Sequence, residues 1–391
     1  MVAIVVVVGL MVAGACSPQA APATPPTTTV VDPLPQDPVG DDLVRLNQVQ
    51  FLGSHNSYHL APDPFIMWLL VTGARLFPQI AAGLGDPTEL DYTHPPLADQ
   101  LAAGIRTFEL DVWADPEGGR FANPKLPANF GYRDPLIPAG LEEPGFKVFH
   151  IVDVDYGTRC VSLRVCLEEL RAWSDDHPGH LPIAINMELK DDPLPAPLIG
   201  TPVLRYDAEL LDALDEEIRA VLGDRLLTPD DVRGDAADLR TAITTEGWPT
   251  VAESRGRFLF FMDNQDLRPL YLEGHPSLEG RVMFTSWGED EPDGAIIQVN
   301  DPGDGARIRG LVEAGYLVRT RADAGLVEAR ANDPSRRDTA LASGAQIIHS
   351  DFPPNQPAPN GYVVTFGTRV AARCSPVLAA GCTPLAVVEP T

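Results

Sequence analysis

Apolar residues in this chain fall into short unbroken runs rather than strict alternation. Such runs occupy 49–53, 107–112, 147–152, 183–189, 257–262, 282–286, 316–320 and 346–349, and 295–299 is a further short candidate. Continuous apolar runs of this length suit strands covered on both faces. Between them lie segments with helical spacing at 97–103, 163–176, 207–222, 305–314 and 336–342. The stretch 64–82 is apolar with helical character and reads as a helix or a lid. Eight strands alternating with helices predict an α/β protein, a (β/α)8 TIM-type barrel in a single domain over 42–391.

The chain start has a different texture. Val2–Val12 is almost wholly apolar and leads through Ala13-Gly14-Ala15 into Cys16. The run is too short to span a bilayer as a helix, and its exit through small residues suits a signal peptide over 1–15. A cysteine directly after small residues resembles a bacterial lipobox, which predicts lipid attachment at Cys16, with simple secretion as the alternative. No Lys or Arg precedes the apolar run, a departure from the usual signal. Residues 16–41 are rich in Pro, Thr and Ala, offer little to bury, and predict a disordered tether. Either way the protein is expected outside the cell, held on the outer face of the bacterial membrane or secreted.

Charge and cysteines narrow the picture. Acidic residues number 55 against 29 basic ones, a net charge of -26. Nucleic acid is therefore not an expected partner, and a bare anionic membrane would repel the chain. Besides Cys16 there are four cysteines in two close pairs. In an oxidising compartment, Cys160–Cys166 and Cys374–Cys382 is the simplest of three pairings. Neither pair has C-x-x-C spacing or an adjacent His, so a zinc site is not expected there.

Candidate chemistry sits where the predicted strands end. The first strand delivers F-L-G-S-H-N-S-Y-H, with His55 able to move a proton near neutral pH and Asn56 offering a carbonyl oxygen to a hard cation. Ser54 and Ser57 flank them. F-E-L-D-V-W places Glu109 and Asp111 on one face, K-V-F-H-I-V carries His150, and I-A-I-N-M-E-L-K puts Glu188 and Lys190 on one face. Two carboxylates about 4 Å apart oppose each other by roughly 4 kcal/mol at an effective dielectric of about 20. One hard divalent ion would remove that cost. Asn56, Glu109, Asp111 and Glu188 form an all-oxygen set that suits Ca2+, or less well Mg2+, over Zn2+. The alternative is that each acid has its own cation, Glu109 with Arg106 and Glu188 with Lys190.

Taken in order, S-H-N-S-Y, E-L-D-V-W, F-H and M-E-L-K resemble the catalytic half of the phosphoinositide-specific phospholipases C, closest to the Ca2+-dependent bacterial branch. Y-T-H-P-P-L-A-D-Q-L-A-A-G-I-R, V-R-T-R-A-D-A and S-G-A-Q-I-I-H-S-D-F extend the resemblance from about Arg45 to Pro354. It implies a barrel that cleaves the phosphodiester between inositol phosphate and diacylglycerol. The inositol 2-hydroxyl attacks phosphorus and gives a cyclic phosphate that water can open. It also implies His55 and His150 as the two catalytic imidazoles, and Asn56, Glu109, Asp111 and Glu188 as ligands of a single Ca2+. On that pattern Glu109 accepts the hydroxyl proton, His150 protonates the glycerol oxygen and His55 holds a phosphoryl oxygen. Lys190 contacts substrate phosphate or the acidic cluster.

Arg319 and Arg321 share a face at the end of a strand and would bind phosphate or hold the site's acids. Ser350 and Asp351 line the inositol pocket or cap a loop, and His59, Tyr92 and His94 lie near the rim. His94 is positional, and Trp113 is a pocket wall or core. The partner implied is phospholipid at a membrane surface, with no protein partner. Absence of a long basic cluster favours phosphatidylinositol over its phosphorylated forms. Two rivals stay open. A glycerophosphodiester phosphodiesterase shares barrel and metal, but its first strand reads H-R-G where this chain has His55-Asn56-Ser57. A non-catalytic surface lipoprotein would bind a polyol or polymer on the same barrel.

Overall fold

The computed structural model describes residues 38–76, 85–193, 200–367 and 370–390. The signal peptide expected over 1–15, lipidation at Cys16, most of the 16–41 tether and positions 77–82 of the apolar stretch lie outside those residues. Among the described residues ten strands run in chain order: Val49–Ser54 (β1), Thr107–Asp115 (β2), Gly145–Val148 (β3), Ile183–Lys190 (β4), Phe258–Met262 (β5), Met283–Thr285 (β6), Ile296–Gln298 (β7), Leu317–Arg321 (β8), Ile347–Ser350 (β9) and Ala372–Cys374 (β10). Eight of them lie side by side in the order β6-β5-β4-β2-β1-β9-β8-β7. Every hydrogen-bonded pair along that row is parallel. The row nearly closes on itself, since the Gln298 amide donates to the Ser286 carbonyl between β7 and the end of β6 at 3.1 Å. This is the (β/α)8 architecture, with most strand positions buried as a doubly covered sheet requires.

One strand assignment is corrected. The run 147–152 is not a barrel strand. β3 pairs antiparallel with the far end of β2, Val112 opposite Val148 and Asp115 opposite Gly145. β1 meets β2 only at Gly53 and Thr107, so the outer half of the long strand β2 leaves an edge of unpaired amides on that side, and β3 covers it. The eighth barrel strand is β7, from the 295–299 candidate. His150 therefore follows β3 in a tight turn closed by Ile151 and Asp155, in which Asp153 has a positive φ of 67°.

Helices Pro64–Leu76 (α1), Leu97–Ala102 (α2), Leu163–Asp176 (α3), Ala208–Leu222 (α4), Gly305–Glu313 (α5) and Ser335–Ser343 (α6) form where the spacing predicts them. Their starts follow ordinary capping chemistry: Ser162 accepts from the Val165 amide and Asp207 from the Leu210 amide. α3 buries Leu163, Cys166, Leu167 and Leu170, and α4 buries Leu211, Leu214, Ile218 and Leu222, each a single apolar stripe against the barrel. Both disulfides form as expected, Cys160–Cys166 and Cys374–Cys382. No helix among the described residues is long and apolar enough to cross a membrane.

At Gly53 a side chain is excluded. A Cβ there would lie 2.0 Å from Thr107 Oγ1 and 2.3 Å from the His349 ring. The absent side chain makes room for an imidazole inside the barrel, directly beneath the site.

Candidate active site

The C-terminal ends of the strands open into a cavity of about 290 Å3, lined by His55, Glu109, Glu188, Asp263, Asn264, Asn300, Arg319 and Arg321. Glu109, Glu188, Arg319 and Arg321 lie within barrel strands, and His55, Asp263, Asn264 and Asn300 follow strand ends within two residues. Glu109 sits at the centre and is 2% exposed. Its Oε2 accepts from Arg319 Nη2 at 2.5 Å and from His349 Nδ1 at 2.9 Å. Its Oε1 faces His55 Nε2 at 3.7 Å. Burial pushes the Glu109 carboxyl up, but Arg319 foremost, then His55 and His349, reverse this and hold it well below the usual range. A carboxylate held so low is a poor proton acceptor, which counts against Glu109 as the base.

His55 is better suited to move a proton. Its Nδ1 lies 2.7 Å from Asp351 Oδ1. Burial raises the Asp351 carboxyl, yet His55 and Arg321 bring it down to about 2. An ionised carboxylate only accepts, so the His55 proton sits on Nδ1 and Nε2 turns to the cavity side where Glu109 lies. The Asp351 amide donates to Asp323 Oδ1, and Ser350 Oγ donates to Asp323 Oδ2. Ser350 and Asp351 thus brace His55 from behind. His94 Nε2 meets the His55 carbonyl at 2.9 Å, a positional contact as expected.

The acids converge. Glu109, Glu188 and Asp263 bring carboxylate oxygens within 4.8 Å of one another. Burial, together with the charges of Glu109 and Glu188 and against that of Arg319, pushes the Asp263 carboxyl up to about 6. Asp111 is wholly buried, and its carboxyl is raised well above the usual range by burial, with Glu188 and Glu109 opposing the help of Lys190. Lys190 Nζ bridges Asp111 Oδ2 at 3.1 Å and Glu188 Oε1 at 2.6 Å. Among the described residues, Asp111 Oδ1 and the buried Asn56 Oδ1 have no hydrogen-bond partner. Asn56 adopts a positive φ of 46°, and its Nδ2 donates to the Tyr92 hydroxyl at 3.1 Å. Three clustered carboxylates with orphaned hard oxygens nearby fit a Ca2+-type cation: oxygen donors throughout and negative charge in excess of its local partners.

His150 is held by a second carboxylate. Its Nδ1 lies 2.8 Å from Asp155 Oδ2, and His59 Nε2 reaches the same oxygen at 2.9 Å. Burial lowers the His150 pKa; Asp155 opposes this, and Lys190 and His59 add to it.

A family model described as phosphoinositide phospholipase C, Ca2+-dependent, matches residues 44–376. This chain belongs to that family. Two solved bacterial enzymes of the family share the fold. A calcium-dependent phosphoinositol-specific phospholipase C from a Gram-negative Pseudomonas sp. is 16% identical, with a TM-score of 0.52 over 87% of this chain and 98% of that one. A Ca2+-dependent phosphatidylinositol-specific phospholipase C from Streptomyces antibioticus is 18% identical, with a TM-score of 0.51 over 85% and 99%. The Pseudomonas enzyme has also been solved as a myo-inositol complex, 17% identical with a TM-score of 0.50. No curated protein matches the chain significantly.

Of the residues this phospholipase C family member was expected to use, His55, Glu109, Glu188, Arg319 and Arg321 line the cavity together. Asp111 and Lys190 join it through Glu188 but do not line it, and neither do Asn56 and His150. Arg319 is 1% exposed and bonds Gln298, Asn300 and Glu109, and Arg321 pairs with Asp351. Both arginines hold the site's acids. Arg106 pairs with Glu389 and not with Glu109, while the Glu188–Lys190 pair does form. Trp113 is core: its Nε1 donates to the Phe149 carbonyl and its ring packs on Phe121 and Phe149. Asp263, Asn264 and Asn300 were missed. Asp263 and Asn264 directly follow β5 and Asn300 follows β7, so polar residues just past an apolar run were the available signal.

Proposed function

We propose that this family member is a Ca2+-dependent phosphodiesterase that cleaves phosphatidylinositol to diacylglycerol and an inositol phosphate, through a cyclic phosphate that water opens. The observation that carries the reading is the pair of imidazoles, each clamped at Nδ1 by a buried carboxylate, His55 in the wall of the acidic cavity and His150 in the turn after β3. Each clamp leaves Nε2 as the proton-exchanging atom. Glu109, Glu188 and Asp263 would hold the Ca2+, with Asn56 Oδ1 and Asp111 as further candidate oxygens. When bound, the ion supplies positive charge to the phosphate and to the attacking hydroxyl.

The chain's own groups do the rest. His55 Nε2 takes the proton of the inositol 2-hydroxyl, and Asp351 stabilises the imidazolium that results. This reassigns the base from Glu109, whose carboxyl is held down by Arg319. His150 Nε2 gives its proton to the departing glycerol oxygen. Lys190 and Arg321 add charge for the phosphoryl oxygens. Both arginines of the cavity already face carboxylates, which supports an unphosphorylated inositol ring over polyphosphorylated head groups. The myo-inositol complex of the Pseudomonas relative supports a ring of that size.

Trp68 and Phe130 are more than half exposed. α1 packs through Phe65 on Tyr132, and through the Ile66 cluster beside Leu126 and Val154 at the His150 turn. This apolar rim is where the lipid surface would meet the protein. Two disulfides support export, with lipid on Cys16 or plain secretion as the means of release.

Phosphorus NMR of products from phosphatidylinositol with Ca2+ tests the reading. A transient cyclic inositol phosphate signal is expected. Release of glycerol 3-phosphate from glycerophosphodiesters instead would mark the rival phosphodiesterase. No turnover of any phosphodiester would mark a binding protein.

A further inference from the structure

His59 takes no part in the reaction drawn above, yet it is wholly buried and both ring nitrogens are engaged. Nδ1 lies 3.0 Å from the Tyr92 main-chain carbonyl, and Nε2 lies 2.9 Å from Asp155 Oδ2. A carbonyl oxygen only accepts. So does an ionised carboxylate, and Asp155 Oδ2 also takes the His150 Nδ1 hydrogen at 2.8 Å. Both His59 nitrogens must therefore carry hydrogen, which makes the ring an imidazolium. The Tyr92 ring stacks on it at 4.3 Å, a favourable partner for a buried cation. Among the described residues, the other Asp155 oxygen, Oδ1, has no hydrogen-bond partner. Two imidazoles thus share a single carboxylate oxygen. His59, His150 and Asp155 offer atoms close enough for a metal, but an ion there would have to break both hydrogen bonds to Asp155.

We propose that His59 is a positioning residue for the leaving-group acid. As a fixed imidazolium it holds Asp155 in place and cancels its charge, so that His150 can release its proton. The inference rests on His150 serving as that acid. Asp155 alone would orient His150 through Nδ1 but would also grip its proton. With His59 opposite, orientation is kept while the electrostatic hold is balanced. In the step itself, the phosphorus–oxygen bond breaks and its electron pair stays on the glycerol oxygen. That oxygen takes the Nε2 proton of His150, and Nδ1–H remains on Asp155. The charged or titratable groups facing His150 are Asp155, Lys190 and His59. Those facing His59 are Asp155, His150 edge-on at 6.0 Å, Tyr92, and His94, which burial foremost pushes down to about 3.

The test is nitrogen NMR of the full chain labelled in histidine, with Ca2+ present, from about pH 5.5 to about pH 8.5. At about pH 7 His59 is expected to show two protonated ring nitrogens, and His150 a proton on Nδ1. His59→Gln keeps a donor for Asp155 but removes the charge. In that variant the His150 titration and the alkaline limb of the kcat profile should both move up by about one pH unit. kcat should fall about tenfold with KM within about twofold, since the loss is confined to the transition state. A neutral His59 at about pH 7 in the wild-type spectrum overturns the proposal whether or not the variant folds. So does an unmoved His150 in folded His59→Gln. An imidazolium His59 in a protein that does not cleave phosphatidylinositol would sink the function reading and leave the His59 assignment standing.

Discussion

Asp351→Asn probes the carboxylate behind the proposed base. Asn has nearly the same volume, and the main-chain bond from residue 351 to Asp323 is retained, so the fold should persist. What changes is the 2.7 Å contact with His55 Nδ1, together with the 3.3 Å ion pair to Arg321. If the amide oxygen takes the place of the carboxylate, the contact survives but loses its charge. A hydrogen bond to a charged group is worth roughly 1.5–3 kcal/mol, and the loss is felt when His55 becomes an imidazolium. A unit charge about 4 Å away adds roughly 4 kcal/mol at an effective dielectric of about 20. If instead the amide nitrogen faces Nδ1, the ring is driven to the wrong tautomer, which in the serine-protease triad costs about 10^4 in kcat. Together these set an expected fall in kcat of about 10^2 to about 10^4, with KM changed by less than about threefold. The assay is release of water-soluble inositol phosphate from phosphatidylinositol in mixed micelles at saturating Ca2+, with a thermal melt to confirm folding. A folded Asp351→Asn enzyme retaining more than about a third of wild-type kcat would refute the assignment of His55 as the base.

Three further outcomes follow from the same geometry. Asp263→Asn removes one of three clustered acids and should weaken Ca2+ binding about tenfold or more by calorimetry, with Zn2+ failing to substitute in activity assays. In chelator the folded Asp263 and Asp323 carboxyls titrate near 6 and near 7, raised chiefly by burial. Each therefore holds a proton in the folded state that the unfolded carboxyl lacks above about pH 4, while the buried imidazoles of His94, His180 and His349, held down to about 3, 4 and 4, oppose this below about pH 6.5. The carboxyl contribution is isolated by Asp323→Asn, which stays neutral at every pH: relative to wild type, its Tm in chelator should rise by about 3 °C or more from about pH 5 to about pH 8. A Tm difference that stays flat over that range would contradict this. Trp68, 58% exposed, should matter only at an interface. Trp68→Ser should slow turnover on vesicles about tenfold while leaving a water-soluble inositol phosphodiester unaffected.

The apolar runs predicted the barrel because a strand covered on both faces must be apolar throughout, and that demand is local. Helix positions were legible for the same reason: Ser162 and Asp207 cap what the 3.6-residue spacing predicts. Local order also marked His55, Glu109 and Glu188, as polar residues at or beside apolar strand ends. The choice between β3 and β7 as a barrel strand was different. Both runs are apolar, and only the open edge of β2 decides which one lies outside. Which partner gives each functional group its chemistry was likewise not legible in the chain. Asp351 lies 296 positions from His55, Arg319 lies 210 from Glu109, and His349 lies 240 from Glu109. A lone acid after a strand carries no pattern, so Asp263 went unseen. A side chain's type follows from the codon and its neighbours' periodicity. Its proton affinity depends on burial and on charges a few ångströms away in space, and those exist only once the barrel has closed.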